Sequence, residues 1–102
     1  MRIHKTAPEV PMIVLTEDAD VRAYAAALFE ADIPVAIVSS HYSDVVPFML
    51  DNNGHTVALV ADIDDPEQLS GAILTIERRI GRVGSVVRYA SDLPVTPMPS
   101  AA

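Results

Sequence analysis

The sequence contains no cysteine and no tryptophan, and Lys5 is its only lysine. The lack of cysteine excludes disulfides, thiolate metal sites and thiol catalysis. Because no lysine follows Lys5, any mechanism that needs a lysine in the folded body is excluded as well. No apolar run approaches the roughly 18 residues of a membrane span, and the N-terminus has no apolar signal core. We therefore expect a soluble, cytoplasmic protein with no membrane partner.

Basic side chains are scarce, with 7 Lys and Arg against 14 Asp and Glu and a formal net charge of -7. A chain of this sign is repelled by phosphate backbones, so nucleic acid is not an expected partner. Half of the 102 residues are hydrophobic. That content is sufficient for the core of one small domain.

Proline divides the chain into three parts. Residues 1–11 are polar with two prolines and are predicted to form an extended N-terminal segment. Residues 93–102 carry three prolines at a spacing that neither a helix nor an inner strand accepts, which predicts a Pro-rich flexible tail. The segment between them, residues 12–92, is predicted to be a single α/β domain.

Four short apolar runs alternate with helical patterns in this domain. They begin at Met12, Val35, Thr56 and Ser85 and read MIVL, VAIV, TVALVA and SVVRYA. Continuous rather than alternating hydrophobicity is typical of strands buried on both faces of a parallel sheet. The order of elements therefore predicts a small three-layer α/β fold, with a parallel sheet of about four strands flanked by helices.

The helical patterns have recognisable ends. The first runs from Val21 to Phe29 behind a capping Asp18 or Asp20. Pro47 restricts residues 41–51 to a short, irregular helix, and Asn52, Asn53 and Gly54 then predict a turn. The last helix is predicted to begin near Pro66, with Asp64 or Asp65 as its cap, and to end at Gly81 and Gly84.

The segment from Asp62 to Ser91 resembles the short-chain dehydrogenase/reductase family. Asp62 and Asp65 match the family's acidic pair after the third strand, and Gly81 matches the glycine ahead of the fourth strand. Ala90 matches the alanine of the family's N-N-A-G turn, although Arg88, Tyr89 and Ser91 replace the other three residues of that turn. The resemblance implies a Rossmann-like sheet with the strand order 3-2-1-4. In the family the fourth strand pairs with a fifth, and because this sequence shows no fifth strand we expect the fourth to be an open edge.

The same resemblance implies cofactor-binding positions at Thr16, which opens the family's nucleotide loop, and at Asp62, whose counterpart contacts adenine. The loop itself departs from the family's T-G-x-x-x-G-x-G, because residues 16–21 read TEDADV. It holds no glycine, and three carboxylates lie where a diphosphate would bind. Like charges about 4 Å apart repel by about 1 to 4 kcal/mol, depending on the local dielectric. We therefore expect no dinucleotide cofactor.

The family's catalytic Tyr-x-x-x-Lys is also missing, because Tyr24, Tyr42 and Tyr89 have no lysine four residues on. We expect a truncated, degenerate relative of these dehydrogenases without catalytic residues: a non-catalytic interaction module or a small subunit of a complex. Three helices for four strands should leave apolar surface uncovered, which predicts a homodimer. Val86, Val87 or Tyr89, or the outer helix faces, are predicted to take part in it.

A second resemblance leads to a different function. Response-regulator receiver domains carry an acidic pair after the first strand and an Asp after the third, which Glu17, Asp18 and Asp62 match. Such a cluster binds Mg²⁺ through oxygen ligands. Receivers also need a lysine late in the chain, and this sequence has none there. The alternative is therefore a sensor that binds a nucleotide or a metal through Asp62 and the Glu17/Asp18 cluster. Helix capping and solvated charge explain these carboxylates more simply, so no metal site is predicted.

Overall fold

The computed structural model describes residues 9–50 and 54–93. Four strands alternate with three α-helices, and a short 3₁₀ helix follows the last strand. In chain order the elements are β1 (Glu9–Val14), α1 (Ala19–Glu30), β2 (Val35–Ser39), α2 (Tyr42–Leu50), β3 (Thr56–Val60), α3 (Pro66–Arg79), β4 (Arg82–Val87) and the 3₁₀ helix (Ala90–Asp92). The predicted α/β fold is confirmed.

The four strands form one parallel sheet in the order β3-β2-β1-β4. The register places Ile13 of β1 beside Ile37 of β2 on one side and beside Val87 of β4 on the other. This is the predicted order. It also excludes the receiver-like interpretation, because a receiver sheet places the third strand beside the first, whereas β3 here pairs with β2.

The continuous apolar runs are explained by burial on both faces of the sheet. All five residues of β2 are buried. Side chains alternate between two core clusters, so that Met12 and Val38 lie on one face while Ile13 and Ile37 lie on the other. Because neither face of a central parallel strand meets solvent, hydrophobic residues are favoured at every position of the strand.

The helices cover the two faces unequally. Helices α1 and α2 pack on the face of Ile13, whereas α3 alone packs on the face of Met12. The chain reverses its direction along the sheet after β3, and a right-handed crossover then places α3 on the opposite face. One helix does not cover four strands. Val86, which lies beside Met12 in the register, remains 42% exposed.

Two predicted helix caps are observed. Asp18 caps α1, and Asp65 caps α3 ahead of Pro66 in the first turn. The nine-residue α2 contains Pro47 in its interior, so this helix lacks the backbone N–H that would donate there. Helix α3 ends at Arg79, and Gly81 follows with φ of 146°, a backbone conformation that favours glycine.

The boundaries of the outer elements differ from those predicted. The sequence places the fourth strand at Ser85–Ala90, but β4 runs from Arg82 to Val87, and β1 begins at Glu9 rather than at Met12. Pairing between Glu9 and Arg82 extends both strands beyond their apolar cores, with a register shift after Val10. The ends of these strands are exposed and partly polar, so the hydrophobic pattern does not reveal them. Where each strand begins depends instead on its pairing with the neighbouring strand.

Gly84 was expected to help end α3 but lies inside β4. A Cβ atom at this position would lie 2.8 Å from the Cβ atom of Glu9 and 2.7 Å from its Oε1 atom. Glycine therefore allows β4 to approach β1 beside the register shift.

The expected edge position of β4 is confirmed, but Val87 is only 2% exposed and is not available for the dimer contact predicted for it. Val86 and Tyr89 are exposed. Most of the predicted N-terminal segment (residues 1–8), Asn52 and Asn53 of the predicted turn, and tail residues 94–102 lie outside the described residues. Within residues 9–50 and 54–93, no helix has the length and apolar character that crossing a bilayer requires.

Candidate functional site

The carboxyl ends of β1 and β4 mark the position where the order of the sheet reverses. Strands β2 and β3 continue to one side of β1, and β4 lies on the other. In open α/β sheets ligands bind in the crevice at this point, next to the N-terminus of the helix that follows the first strand. In this chain the corresponding position, called the crevice below, lies between the β1–α1 loop and the segment after β4.

Asp18 spans this crevice. Its Oδ1 atom accepts a hydrogen bond of 2.9 Å from the backbone N–H of Asp20, in the first turn of α1. Its Oδ2 atom accepts one of 3.0 Å from the backbone N–H of Ala90, in the segment after β4. The carboxylate thus lies at the positive end of α1 and binds two amides that face the crevice. This is the kind of environment that a pyrophosphate occupies in dinucleotide-binding domains.

Thr16 supports the same closed arrangement. Its hydroxyl oxygen accepts a hydrogen bond of 3.0 Å from the backbone N–H of Asp18. Arg22 donates from Nε to the carbonyl oxygen of Thr16. Thr16 therefore fixes the turn that aims Asp18 at Ala90, and this is where the structure places one of the two predicted cofactor-binding residues.

The segment after β4 is held in place by a second carboxylate. The Oδ2 atom of Asp92 accepts hydrogen bonds from the backbone N–H groups of Arg88, at 3.0 Å, and Tyr89, at 3.1 Å. The Arg88 guanidinium extends to Asp64 at 3.3 Å, in the loop that precedes α3. These bonds join the β3–α3 loop to the segment that presents Ala90.

Asp62, the second predicted cofactor-binding residue, follows β3, whereas Thr16 follows β1. Its Oδ1 atom accepts a hydrogen bond of 3.0 Å from the N–H of Asp64, and its own N–H donates to Oε1 of Gln68 at 2.8 Å. Because β2 lies between β1 and β3, the ends of those two strands are about 10 Å apart. Within residues 9–50 and 54–93, no three histidine or carboxylate side chains converge to hold a metal ion.

A polar cluster that the sequence did not reveal lies on the other side of β1. Buried Ser39 donates from its hydroxyl to Oδ2 of Asp44 at 2.8 Å and accepts from the N–H of His41 at 3.0 Å. Arg22 reaches Oδ1 of the same carboxylate at 3.2 Å. The cluster joins the first turn of α1 and the first turn of α2 to the end of β2.

These contacts hold the pKa of Asp44 below its ordinary value. The hydrogen bond from Ser39 is the main cause, and the hydrogen bond and positive charge of Arg22 and the charge of His41 act in the same direction, whereas partial desolvation opposes them. Asp44 is therefore an ionised anchor between α1 and α2.

The Arg22–Asp44 cluster borders an open cleft of about 510 Å³ that Thr16, Glu17, Ser40 and His41 also line. Ser40 and His41 do not form a relay with Asp44. The hydroxyl of Ser40, at 3.4 Å, and Oδ2 of Asp44, at 3.9 Å, both face the same atom, Nδ1 of His41. A Ser-His-Asp relay needs the two partners on opposite ring nitrogens. In this geometry the three side chains organise the loops and do not form that relay.

Comparison with models of protein families finds no match to this chain, and a search of curated proteins finds no significant relative. The fold and the site geometry therefore carry the functional argument.

Proposed function

We propose that this chain is a non-catalytic Rossmann-like module that acts through contacts with other protein chains, as a homodimer or as a subunit of a complex. The observation that carries the proposal is the carboxylate of Asp18, which bonds to the amides of Asp20 and Ala90. These are the donors that a bound diphosphate would need. A phosphate group would find both amides already bonded to Asp18 and would be repelled by the negative charge of that side chain.

The distribution of apolar surface supports action through protein contacts. Leu74 on α3 is 54% exposed, and Val86 and Tyr89 are also among the large exposed hydrophobic residues. Val86 lies on the face of the sheet that only α3 covers, beside Met12 in the register, whereas Leu74 lies on the outer side of α3 and Tyr89 follows β4. Exposed apolar surface of this kind supports an interface with another protein chain.

The alternative proposal, a nucleotide or metal sensor that uses Asp62 with Glu17 and Asp18, has less support from the geometry. Both oxygens of Asp18 accept hydrogen bonds from the chain's own backbone, and Asp62 accepts one from Asp64. These carboxylates stabilise turns, and within residues 9–50 and 54–93 no three histidine or carboxylate side chains converge on a common point.

Sedimentation equilibrium of the full chain at micromolar concentrations, together with affinity purification of the tagged chain from its native cell, tests the proposal. We expect a reversible dimer of the 10.9 kDa chain or a complex of fixed stoichiometry with another polypeptide. A chain that stays monomeric throughout and purifies without a stoichiometric partner would contradict the proposed function.

A further inference from the structure

One stripe of α3 faces away from the core of the protein. It consists of Glu67, Gly71, Leu74 and Arg78, which are all exposed. Their spacing of four, three and four residues places them on a single line along the helix. The same spacing forms the contact seam of paired helices. The stripe therefore has the periodicity of a helix-packing surface although no other element of the described chain covers it.

Gly71 makes a notch in the middle of this stripe. Glycine lowers the stability of a helix interior relative to alanine. A Cβ atom at Gly71 would meet no atom within 4 Å, so packing within the described protomer gives no reason for its absence. The notch opens onto a groove of about 340 Å³ between α3 and β3, whose lining includes Leu59 and Thr75. Exposed Leu74 lies one turn further along the same stripe.

The two ends of α3 carry opposite charges. Glu67 lies in the first turn, behind the capping Asp65, whereas Arg78 and Arg79 lie in the last turn. Within residues 9–50 and 54–93, the ion pairs are those of Asp44 with Arg22 and His41 and of Asp64 with Arg88. The charged groups at both ends of the stripe are therefore free to pair with another molecule.

We propose that a second copy of this chain binds here, with the two α3 helices antiparallel about a two-fold axis that passes between Gly71 and Leu74. This inference rests on the proposed function. Leu74 of each copy enters the notch at Gly71 of the other, and Glu67 of each copy pairs with Arg78 of the other. Positions 67 and 78 lie at equal distances on either side of the midpoint between 71 and 74. A two-fold axis through that midpoint therefore places position 67 of each copy against position 78 of the other, so that each contact occurs twice.

The charge pattern selects a second copy in this orientation. A parallel arrangement would place Glu67 against Glu67 and Arg78 against Arg78, whereas the antiparallel arrangement pairs opposite charges at both ends. The ends of the stripe are about 16 Å apart, because each helical residue rises about 1.5 Å. An interface about one helix wide is smaller than the roughly 1,200 to 2,000 Å² of stable complexes, so we expect a reversible dimer in the micromolar range.

Charge reversal on the full chain tests the pairing by sedimentation equilibrium. Glu67→Arg alone and Arg78→Glu alone should each raise the dimer dissociation constant at least tenfold, because each leaves two like-charged contacts per dimer. The double variant Glu67→Arg/Arg78→Glu should return to within about threefold of the natural chain. An equimolar mixture of the two single variants should form a 1:1 heterodimer, because both of its contacts join opposite charges.

A steric variant and a matched control complete the experiment. Gly71→Leu should also raise the dissociation constant at least tenfold because it fills the notch, while its higher helix propensity keeps the protomer folded. Glu30→Arg makes the same charge change at an exposed position at the end of α1 and should leave the dissociation constant within about twofold. Circular dichroism confirms the fold of each variant.

The outcomes separate the inference from the proposed function. If the natural chain dimerises but neither charge reversal weakens the dimer, or the mixture does not associate, the interface lies elsewhere and only the inference is wrong. A natural chain that is monomeric in sedimentation but purifies with another polypeptide also contradicts the inference and leaves the proposed function intact. Tight dinucleotide binding would contradict the proposed function, wherever the dimer interface lies.

Discussion

The carboxylate of Asp18 binds the backbone N–H of Ala90 at 3.0 Å, although the two residues are 72 positions apart in the chain. This bond joins the start of α1 to the segment after β4, directly across the position where the order of the sheet reverses. The same carboxylate caps α1 through Asp20. One side chain therefore stabilises a helix terminus and joins two segments that are distant in the sequence.

Two replacements of Asp18 should lower the free energy of unfolding by different amounts. Asp18→Ala loses the helix cap and the bond to Ala90 and should lower the free energy of unfolding by about 2 kcal/mol. Asp18→Asn keeps one acceptor oxygen for two donors and should lower it by about 1 kcal/mol. Urea denaturation at pH 7 measures both changes.

Glu17→Ala is the matched control for this pair, because Glu17 is exposed and lies next to Asp18. Its effect should stay within about 0.5 kcal/mol. Equal stability of the Asp18→Ala variant and the natural chain would show that the crevice bond contributes nothing to the fold.

The network around Asp44 predicts a specific pH dependence. The pKa of Asp44 in the folded chain is lowered, mainly by the hydrogen bond from Ser39. Its contribution to stability is therefore complete above the unfolded-state pKa of about 4 and is lost as the pH falls through the lower folded-state pKa. Ser39→Ala removes the main cause and should raise the pKa of Asp44, which an NMR titration of its carboxyl carbon measures.

Ser40→Ala is the control, because the Ser40 hydroxyl lies beside His41 and does not donate to Asp44. It should leave the titration midpoint of Asp44 unchanged. Asp44→Asn should also flatten the loss of stability between pH 5 and pH 3, an acid range in which only carboxylates change charge to a large extent. The account of this cluster fails if Ser39→Ala and Ser40→Ala shift the midpoint equally.

Substitution of glycine by alanine should change the free energy of unfolding in opposite directions at Gly71 and Gly84. Gly71→Ala should raise the free energy of unfolding of the monomer by about 0.5 to 1 kcal/mol, because the added Cβ meets only open space and alanine favours the helix. Gly84→Ala should lower it by about 1 kcal/mol, because its Cβ would lie 2.8 Å from that of Glu9. Urea denaturation at low protein concentration checks both, and a stabilising Gly84→Ala would contradict the close approach of β4 to β1.

The elements that could be predicted from the sequence are those with a local signal. The apolar runs at Val35 and Thr56 match β2 and β3 closely, because central or half-covered parallel strands need hydrophobic residues along their length. The start of β4 at Arg82 was missed because its first residues are held by pairing with β1 rather than by burial.

The site was less predictable for a related reason. Asp18 was recognised as a helix cap, but its bond to Ala90 depends on tertiary structure that brings distant segments together. Arg22, Ser39 and Asp44 lie on three different elements, and their separations in the chain follow no motif. Only Ser39 had a positional signal, as a polar residue at the end of a buried strand.

The central proposal is that Asp18 occupies the backbone amides that a dinucleotide would need, and its most direct test is an NMR titration of the natural chain with NAD(H) and NADP(H). We predict no change in the amide resonances of Asp20 and Ala90 at millimolar dinucleotide, because the carboxylate of Asp18 already binds both amides. Saturable shifts of these two resonances with a dissociation constant below about 100 μM, roughly −5.5 kcal/mol of binding, would contradict the account.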